Sequence, residues 1–456
     1  MKKLLLINPV GRQSGYLLSS FSRVPPLGLA YIAAVTPSDW TVNIVDENYG
    51  PHEVEDADLV GISAFTSNIN RAYAIAREYR KRNIKVVLGG IHVSMVPDEA
   101  LQYADAVVVG EGEGIWEKVL RDFEDGCLEG KYVGPRIDLA RNSVKPRTDL
   151  MDSRYLFHSI QTSRGCPFDC NFCTVPKYLG KKYRQRSAED VLDELKDINS
   201  EYIFFVDDNL IGHTRESRKR ACEIFQGMID LGLNKKWWMQ TSMDAAKDEA
   251  LLKLSAESGC MFAFIGFETI DSKHLREISK GVNLKVGAEN YKTVVDAFHK
   301  YGMGVIGAFI IGFDHESPEY YKRLAGFLVH SGIDVVQLSI LTPLPGTTFM
   351  KQVQEDGRIL YPRFPEDWDY YRMSYVVSRP LGIDPETIYI GDNYIKHHLY
   401  RFPWNQYRLL KSLISVKNLK NVYAIYRFNK ALKKSWQSSH YYEKYPLTFI
   451  SAESHA

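Results

Sequence analysis

Three cysteines crowd into eight residues of this chain. In QTSRGCPFDCNFC, spanning 161–173, Cys166, Cys170 and Cys173 form a C-x3-C-x2-C array that holds half of the six cysteines in 456 residues. Three thiolates on one loop suit three irons of a cubane [4Fe–4S] cluster and leave the fourth iron open to bind a small molecule and pass it an electron. Structural zinc takes four ligands, usually as two separated pairs, and no second pair stands elsewhere in the chain. An odd count also argues against a disulfide staple. Cys127, Cys222 and Cys260 are isolated and read as small core residues. Phe172, directly before the last cysteine, sets a ring beside the cluster where an adenine can rest.

A loop of this kind needs a scaffold on both sides. After it, apolar runs at 202–206, 237–241, 262–267, 304–311 and 335–340 read as strands, with helices at 188–198 and 216–231 between them. Ser187 followed by Asp190 is an N-cap pattern for the first of these helices. The rhythm predicts a full or partial (βα) barrel over 156–350, with its site at the carboxyl ends of the strands. Those ends carry Asp207-Asp208-Asn209, Gln240 and Ser242, Glu268, and the glycines Gly307 and Gly312. The Pro/Gly loop LTPLPGT at 341–347 closes the barrel side, and Arg184 and Arg186 stand ready to meet a carboxylate. Each residue taken singly is as well explained by a turn, a helix cap or a solvated surface.

Before the loop, residues 1–130 alternate strand patterns at 3–8, 41–46, 58–63, 85–88 and 106–109 with helical ones at 28–35, 70–82, 97–103 and 114–123. Such alternation builds a doubly wound parallel sheet that binds ligands at its carboxyl edge. That edge offers Asn8, Ser63, Thr66, Gly89, Gly90, His92, Gly110 and Glu111. Glycines there let backbone amides approach a ligand. Gly110-Glu111-Gly112 comes last and lacks the G-x-G-x-x-G order, so it is no dinucleotide fingerprint. Residues 131–155 mix proline, glycine and charge without periodicity and read as a linker.

The composition, 45% hydrophobic and 25% charged with a net charge of +1, is that of a globular protein without a whole-molecule signal for nucleic acid. The opening MKKLLLINPVG has an apolar run of four residues broken by Asn8-Pro9; it reads as a first strand, not a leader. The segment 351–456 is aromatic-rich, and between Asn393 and Pro446 it holds eleven Lys or Arg against one acid, Glu443. Apolar residues at helical spacing (Leu409, Leu410, Leu413, Ile414; Val422, Ile425, Tyr426) predict two or three amphipathic basic helices. These read as a helical cap with a solvated basic face or as a docking face for an anionic membrane surface.

The cysteine array, with its aromatic before the third cysteine, resembles the radical S-adenosylmethionine superfamily. That resemblance implies that the open iron chelates the amino and carboxylate groups of S-adenosylmethionine. Reductive cleavage then yields a 5′-deoxyadenosyl radical that abstracts hydrogen. It further implies that Asp208 holds the methionyl ammonium, that Glu268 bonds a ribose hydroxyl, and that the strand with Gly307 and Gly312 lies beside adenine. Pro25-Pro26-Leu27-Gly28, Asp46-Glu47-Asn48, GGIHVSMVPDEAL at 89–101 and Val109 to Glu113 resemble the cobalamin-binding domain that precedes many such barrels. The D-x-H-x-x-G motif that supplies histidine to cobalt elsewhere is absent from the first loop, 8–15. His92 is then a candidate contact.

The combination resembles cobalamin-type radical S-adenosylmethionine enzymes, in particular the subgroup with methylases of hopanoids and bacteriochlorophyll side chains. The expected fold is α/β: a Rossmann-like cobalamin-binding-type domain, a partial (βα)6 barrel and a mainly helical carboxyl-terminal segment. Implied cofactors are a [4Fe–4S] cluster, S-adenosylmethionine and cobalamin. Implied partners are an apolar small molecule and an external electron donor of flavodoxin or ferredoxin type, in the cytoplasm, with peripheral membrane contact through the tail and no nucleic acid. Two other readings stay open: a radical cyclase, coupling or dehydrogenating enzyme without methyl transfer, and an iron–sulfur sensor or membrane-associated binding protein.

Overall fold

In the computed structural model, residues 1–11 and 23–449 are described. The first sheet comprises β1 (Lys2–Asn8), β2 (Trp40–Asp46), β3 (Leu59–Ser63), β4 (Lys85–Gly89), β5 (Ala106–Gly110) and β6 (Gly130–Gly134). All its pairings are parallel, in the order β2-β1-β3-β4-β5-β6. Leu4, Leu5, Leu6 and Ile7 are all buried, as a parallel strand covered on both faces demands. The order changes direction at β1 and β3, and the crevice at such a switch point is where open α/β sheets bind ligands. The linker expected from 131 starts too early. Residues Gly130–Gly134 pair in register with Ala106 to Gly110, and the irregular connection begins only after them.

The second sheet comprises β7 (His158–Ile160), β10 (Tyr202–Phe205), β11 (Lys236–Thr241), β12 (Cys260–Glu268), β13 (Gly304–Ile311) and β14 (Val335–Ile340). Between β7 and β10, the two-residue strands β8 (Ser163–Arg164) and β9 (Arg184–Gln185) brace the base of the cysteine loop. The other six strands are parallel in the order β14-β13-β12-β11-β10-β7, an open (βα)6 barrel. Helices on its outer face share one core with the sheet. The expected cap forms, with Ser187 Oγ accepting from the Asp190 amide at 3.1 Å. Cys260 lies in that core, but Cys127 is exposed; the turn Asp125–Gly126 carries it past the end of the helix Trp116–Glu124, outside the core expected for it.

The carboxyl-terminal segment has two jobs. Trp368, Tyr371 and Val377 join the core of the first sheet beside Leu5 and Ile7, and Trp368 Nε1 donates to both oxygens of Glu99 at 3.1 and 3.0 Å. Three helices follow: Pro385–Tyr400, Trp404–Val416 and Leu419–Gln437. Val416, Val422 and Ile425 pack on Met261, Phe262, Ile306 and Val335, so the last two helices plug the amino-terminal end of the barrel. Its carboxyl-terminal end is left for the site.

Candidate functional site

The structure gathers Cys166, Cys170 and Cys173 on one wall of a cavity of about 390 Å³ at the carboxyl ends of the barrel strands. Inward-facing residues of successive strands form the rest: Gln240 from β11, Gly266 and Glu268 from β12, Ala308 and Ile310 from β13, Gln337 and Ser339 from β14. Phe172 and Asp208 also line it. Among the described residues no three His, Cys, Asp or Glu side chains gather closely enough to hold a single metal ion. A cubane asks for another arrangement, in which each thiolate takes its own iron and the sulfurs stand apart around the cluster. Three thiols on one wall, each able to take its own iron, are the donor set that a [4Fe–4S] cluster with one open iron asks for. Burial pushes the Cys166 and Cys170 thiols up and the Cys173 thiol up to about 12; binding as thiolates therefore couples cluster assembly to proton release.

The neighbouring acids divide between frame and cavity. Asp207 is fully buried and accepts from the Thr162 amide and hydroxyl and from Ser163 Oγ, tying β10 to the start of the cysteine loop. Asp208, one residue on, turns into the cavity; burial, aided by the charge of Asp207, pushes its carboxyl up to about 6. Glu268 sits at the end of β12 with φ +65°, where the pairing with β13 slips by one residue, and such a bulge re-aims a side chain. Its Oε1 accepts from Lys280 Nζ at 2.6 Å. A Cβ on Gly266 would press on that oxygen, so glycine leaves the pair its room without a shift of the carboxylate. Burial pulls Lys280 down, but Glu268, joined by Cys170 and Cys173 in their thiolate form, more than offsets it and holds the ammonium above its ordinary value.

Lys280 was not legible in the sequence, because it comes from a turn between two short helices with no motif around it. Gly307 and Gly312 do not line this cavity. A Cβ on Gly307 would press on Ile333 at 2.9 Å, and Gly312 takes φ +93° facing Ile388; their strand reaches the cavity through Ala308, Phe309 and Ile310. Arg184 and Arg186 do meet carboxylates, but those of the protein itself. Arg186 binds Asp190 and Glu194 at 2.7 and 2.6 Å.

A second cavity of about 400 Å³ occupies the switch-point crevice of the first sheet, walled by Asn8, Ser63, Gly89, Gly90, Gly110 and Glu111. Pro25 to Gly28 line it as well; residues 12–15 of the first loop lie outside the described residues. Thr66 and His92 do not face it. His92 is fully buried, its ring bonded to Thr66 at 3.1 Å and Glu99 at 3.3 Å and set edge-on to Trp368. Gly90, with φ +95°, starts the turn that leaves Ile91 on the crevice and His92 behind it. The crevice therefore offers amides and apolar surface, which suits a corrin held without a histidine ligand from this loop.

Glu111 does more than line the crevice. Its Oε2 accepts from Arg164 at 3.0 Å, Arg184 at 3.0 Å and the Ile137 amide at 3.1 Å, and its Oε1 accepts from Arg184 as well. All three side chains are buried or nearly so, so the cluster bolts the first domain to the cysteine loop. Burial alone would raise the Glu111 carboxyl; Arg184 and Arg164 bring it below its usual range. The two cavities share one thin partition, the helix Val175–Tyr178 that follows Cys173. Thr174, Val175 and Pro176 face the thiol cavity, while Tyr178 and Leu179 face the crevice.

Comparison with known proteins agrees with this geometry. Residues 14–120 match the B12 binding domain and residues 160–328 the radical SAM superfamily. The chain is 29% identical to a bacteriochlorophyllide d C-12(1)-methyltransferase of Chlorobaculum tepidum, over 87% of this chain and 86% of that protein. It is 31% identical to an uncharacterized methyltransferase of Pyrococcus horikoshii (76% and 82%) and 30% identical to a hopanoid C-2 methylase of Rhodopseudomonas palustris (74% and 66%). In fold it superposes on the cobalamin-dependent S-adenosylmethionine radical enzyme OxsB with TM-score 0.71 at 16% identity, over 95% of this chain and 71% of that one. The chain belongs to the cobalamin-dependent radical S-adenosylmethionine methylase family, with a [4Fe–4S] cluster, S-adenosylmethionine and cobalamin as its cofactors.

Proposed function

We propose that this chain transfers a methyl group to an unactivated carbon of an apolar substrate, of the isoprenoid or tetrapyrrole kind. The observation that carries this reading is the shared partition, which sets a thiol-lined cavity and the switch-point crevice of the first sheet back to back across one helical turn. When bound, the cluster and S-adenosylmethionine supply hydrogen abstraction and cobalamin supplies the methyl group; the protein supplies position. Cys166, Cys170 and Cys173 would hold the cluster. Asp208 would take the methionyl ammonium in a charge-assisted bond. Glu268, steadied by Lys280, would accept from the ribose, and Phe172 would bear on the adenine. Phe168, Phe264, Phe309, Ile310, Leu344 and Met373 supply an apolar surround that keeps water from the reacting carbon. S-adenosylmethionine would fill most of a cavity of this size, so a large substrate would present only its reacting end. The relatives named for a bacteriochlorophyllide and a hopanoid support that class.

The reading includes an external flavodoxin- or ferredoxin-type donor and a peripheral contact of the basic tail with the inner face of a membrane. Among the described residues no helix is long and apolar enough to cross one. The test is anaerobic reconstitution, desalting after hydroxocobalamin, and assay with S-adenosylmethionine. Retained corrin with both 5′-deoxyadenosine and S-adenosylhomocysteine is the expected result. Deoxyadenosine alone, without corrin, would transfer the chain to the cyclase or coupling class, and neither product would leave a sensor.

A further inference from the structure

Away from both cavities, the last two helices enclose a third space, of about 410 Å³, walled by Arg408 and Asn405 on one side and by Lys430, Lys433, Lys434 and Gln437 on the other. The one acid in its lining is Asp334, and its carboxylate is already occupied: Oδ1 accepts from Ser412 at 2.6 Å, and Oδ2 from His299 at 2.8 Å and the Val305 amide at 2.7 Å. Arg408 is 5% exposed. Among the described residues it donates to neutral oxygens, those of Ile333, Asp334 and Asn429 at 3.3, 3.1 and 3.4 Å, and its Nε meets no acceptor there. Asp334 supplies the nearby opposite charge, but Arg408 donates to no carboxylate among the described residues, and a buried guanidinium without full pairing is costly. Three lysines beside it, none in an ion pair among the described residues, line the space with four cationic side chains against one carboxylate, a surplus that suits an anion.

The surface next to this space is apolar where a soluble helix would be polar. Tyr407, Leu410 and Ile414 recur at i, i+3 and i+7 on the outward face of Trp404–Val416, with Leu410 56% and Ile414 63% exposed. On Leu419–Gln437, Leu419, Tyr423 and Tyr426 recur at i, i+4 and i+7, with Leu419 75% and Tyr423 60% exposed. The same spacing continues from Tyr426 to Lys430 and Lys434, so apolar and cationic groups share one face. Residues 393–442 hold ten Lys or Arg and no acid. That charge opposes a second copy of this chain as the occupant, since like charges would meet across the contact. The apolar face opposes nucleic acid.

We infer that the space between the last two helices binds the phosphate of an anionic phospholipid headgroup while the adjoining stripe enters the bilayer surface. This rests on the peripheral membrane contact proposed above and not on the methyl-transfer chemistry. The test is flotation of the intact reconstituted protein with vesicles of phosphatidylcholine alone or mixed with phosphatidylglycerol. Binding is expected on the mixed vesicles only, at least tenfold weaker for Lys430→Glu/Lys434→Glu and for Leu410→Ser/Ile414→Ser. All four positions are exposed, and unchanged circular dichroism and deoxyadenosine formation would show intact folding. No flotation with any vesicle would sink both the membrane contact and the headgroup site. Flotation that ignores the lysine pair would sink the site alone. Calorimetric binding of glycerol phosphate without flotation would assign the space to a soluble anion and overturn the inference. So would a dimer in sedimentation velocity that Leu410→Ser/Ile414→Ser dissociates without vesicles.

Discussion

Asp208 puts function and stability in opposition. Its carboxyl is pushed from 3.8 up to about 6 by burial and by Asp207, so the folded state prefers it protonated. The folded value lies above the unfolded one, and the contribution to stability is therefore full below about pH 4 and lost as pH rises through about 6. A shift of about two pK units corresponds to about 3 kcal/mol. Asp208 lines an open cavity whose water screens part of that, so the figure is an upper bound. Asp208→Asn removes the titration while keeping the shape. It should stabilise the cluster-free protein by up to about 1.5 kcal/mol at pH 5 and up to about 3 kcal/mol at pH 7, read as a rise in thermal midpoint that grows across that interval. The same change should weaken S-adenosylmethionine binding by about 10- to 100-fold, the value of a hydrogen bond between charged groups. An Asp208→Asn variant that melts at or below the parent at pH 7, or a gain independent of pH, would refute the burial argument. Unchanged affinity would remove Asp208 from the ammonium site.

Other positions test the remaining parts. Cys173→Ala should lower bound iron after reconstitution and reduce deoxyadenosine formation to background. Glu111→Gln leaves Arg184 buried against a neutral amide, while Arg164 keeps Glu113 at 2.6 Å; breaking a buried pair costs about 3–5 kcal/mol, and the glutamine keeps part of the bonding, so the loss should fall near the lower end. Thermal unfolding would measure it, and limited proteolysis between residues 135 and 157 should quicken. Gly90→Ala sets a Cβ 2.7 Å from the Ala64 carbonyl at φ +95°. A backbone strain of about 1–3 kcal/mol at the crevice wall should show as loss of corrin after desalting, with deoxyadenosine still made.

The sequence carried the scaffold because parallel strands buried on both faces leave unbroken apolar runs, and each expected strand of both sheets lies within a residue or two of its place. The thiol loop and the inward residues Gln240 and Glu268 were legible for the same reason, since they end those runs. What failed was direction. Gly307 falls on the side of β13 that faces Ile333, and His92 falls on the buried side of a five-residue helix; a strand end shows which residues are near a site, not which way they turn. Lys280 and the Arg164–Glu111–Arg184 bolt depend on contacts between residues 12 to 73 positions apart, and no local pattern announces them. The exposed stripe on the last helices was visible as periodicity, but periodicity alone reads as a core-facing stripe; only the packing of Val416, Val422 and Ile425 shows that the inward face is a different one.

The partition between the cavities explains why the cysteines sit where they do. A four-residue helix spans about 6 Å, and Pro176 in its first turn needs no amide partner, so the wall can be short and still hold its shape. The helix starts two residues after Cys173, and Arg184, which pins Glu111 of the crevice, also donates to the carbonyl of Leu179 at its end. One local segment thus fixes three things at once: the third thiol, the wall of the barrel cavity and the floor of the crevice. A loop inserted between cysteines and helix would leave each cavity intact by itself and lose their registration. Because hydrogen removal and methyl delivery must address one carbon in turn, that registration, rather than either cavity alone, is what the contiguity of residues 166–184 maintains.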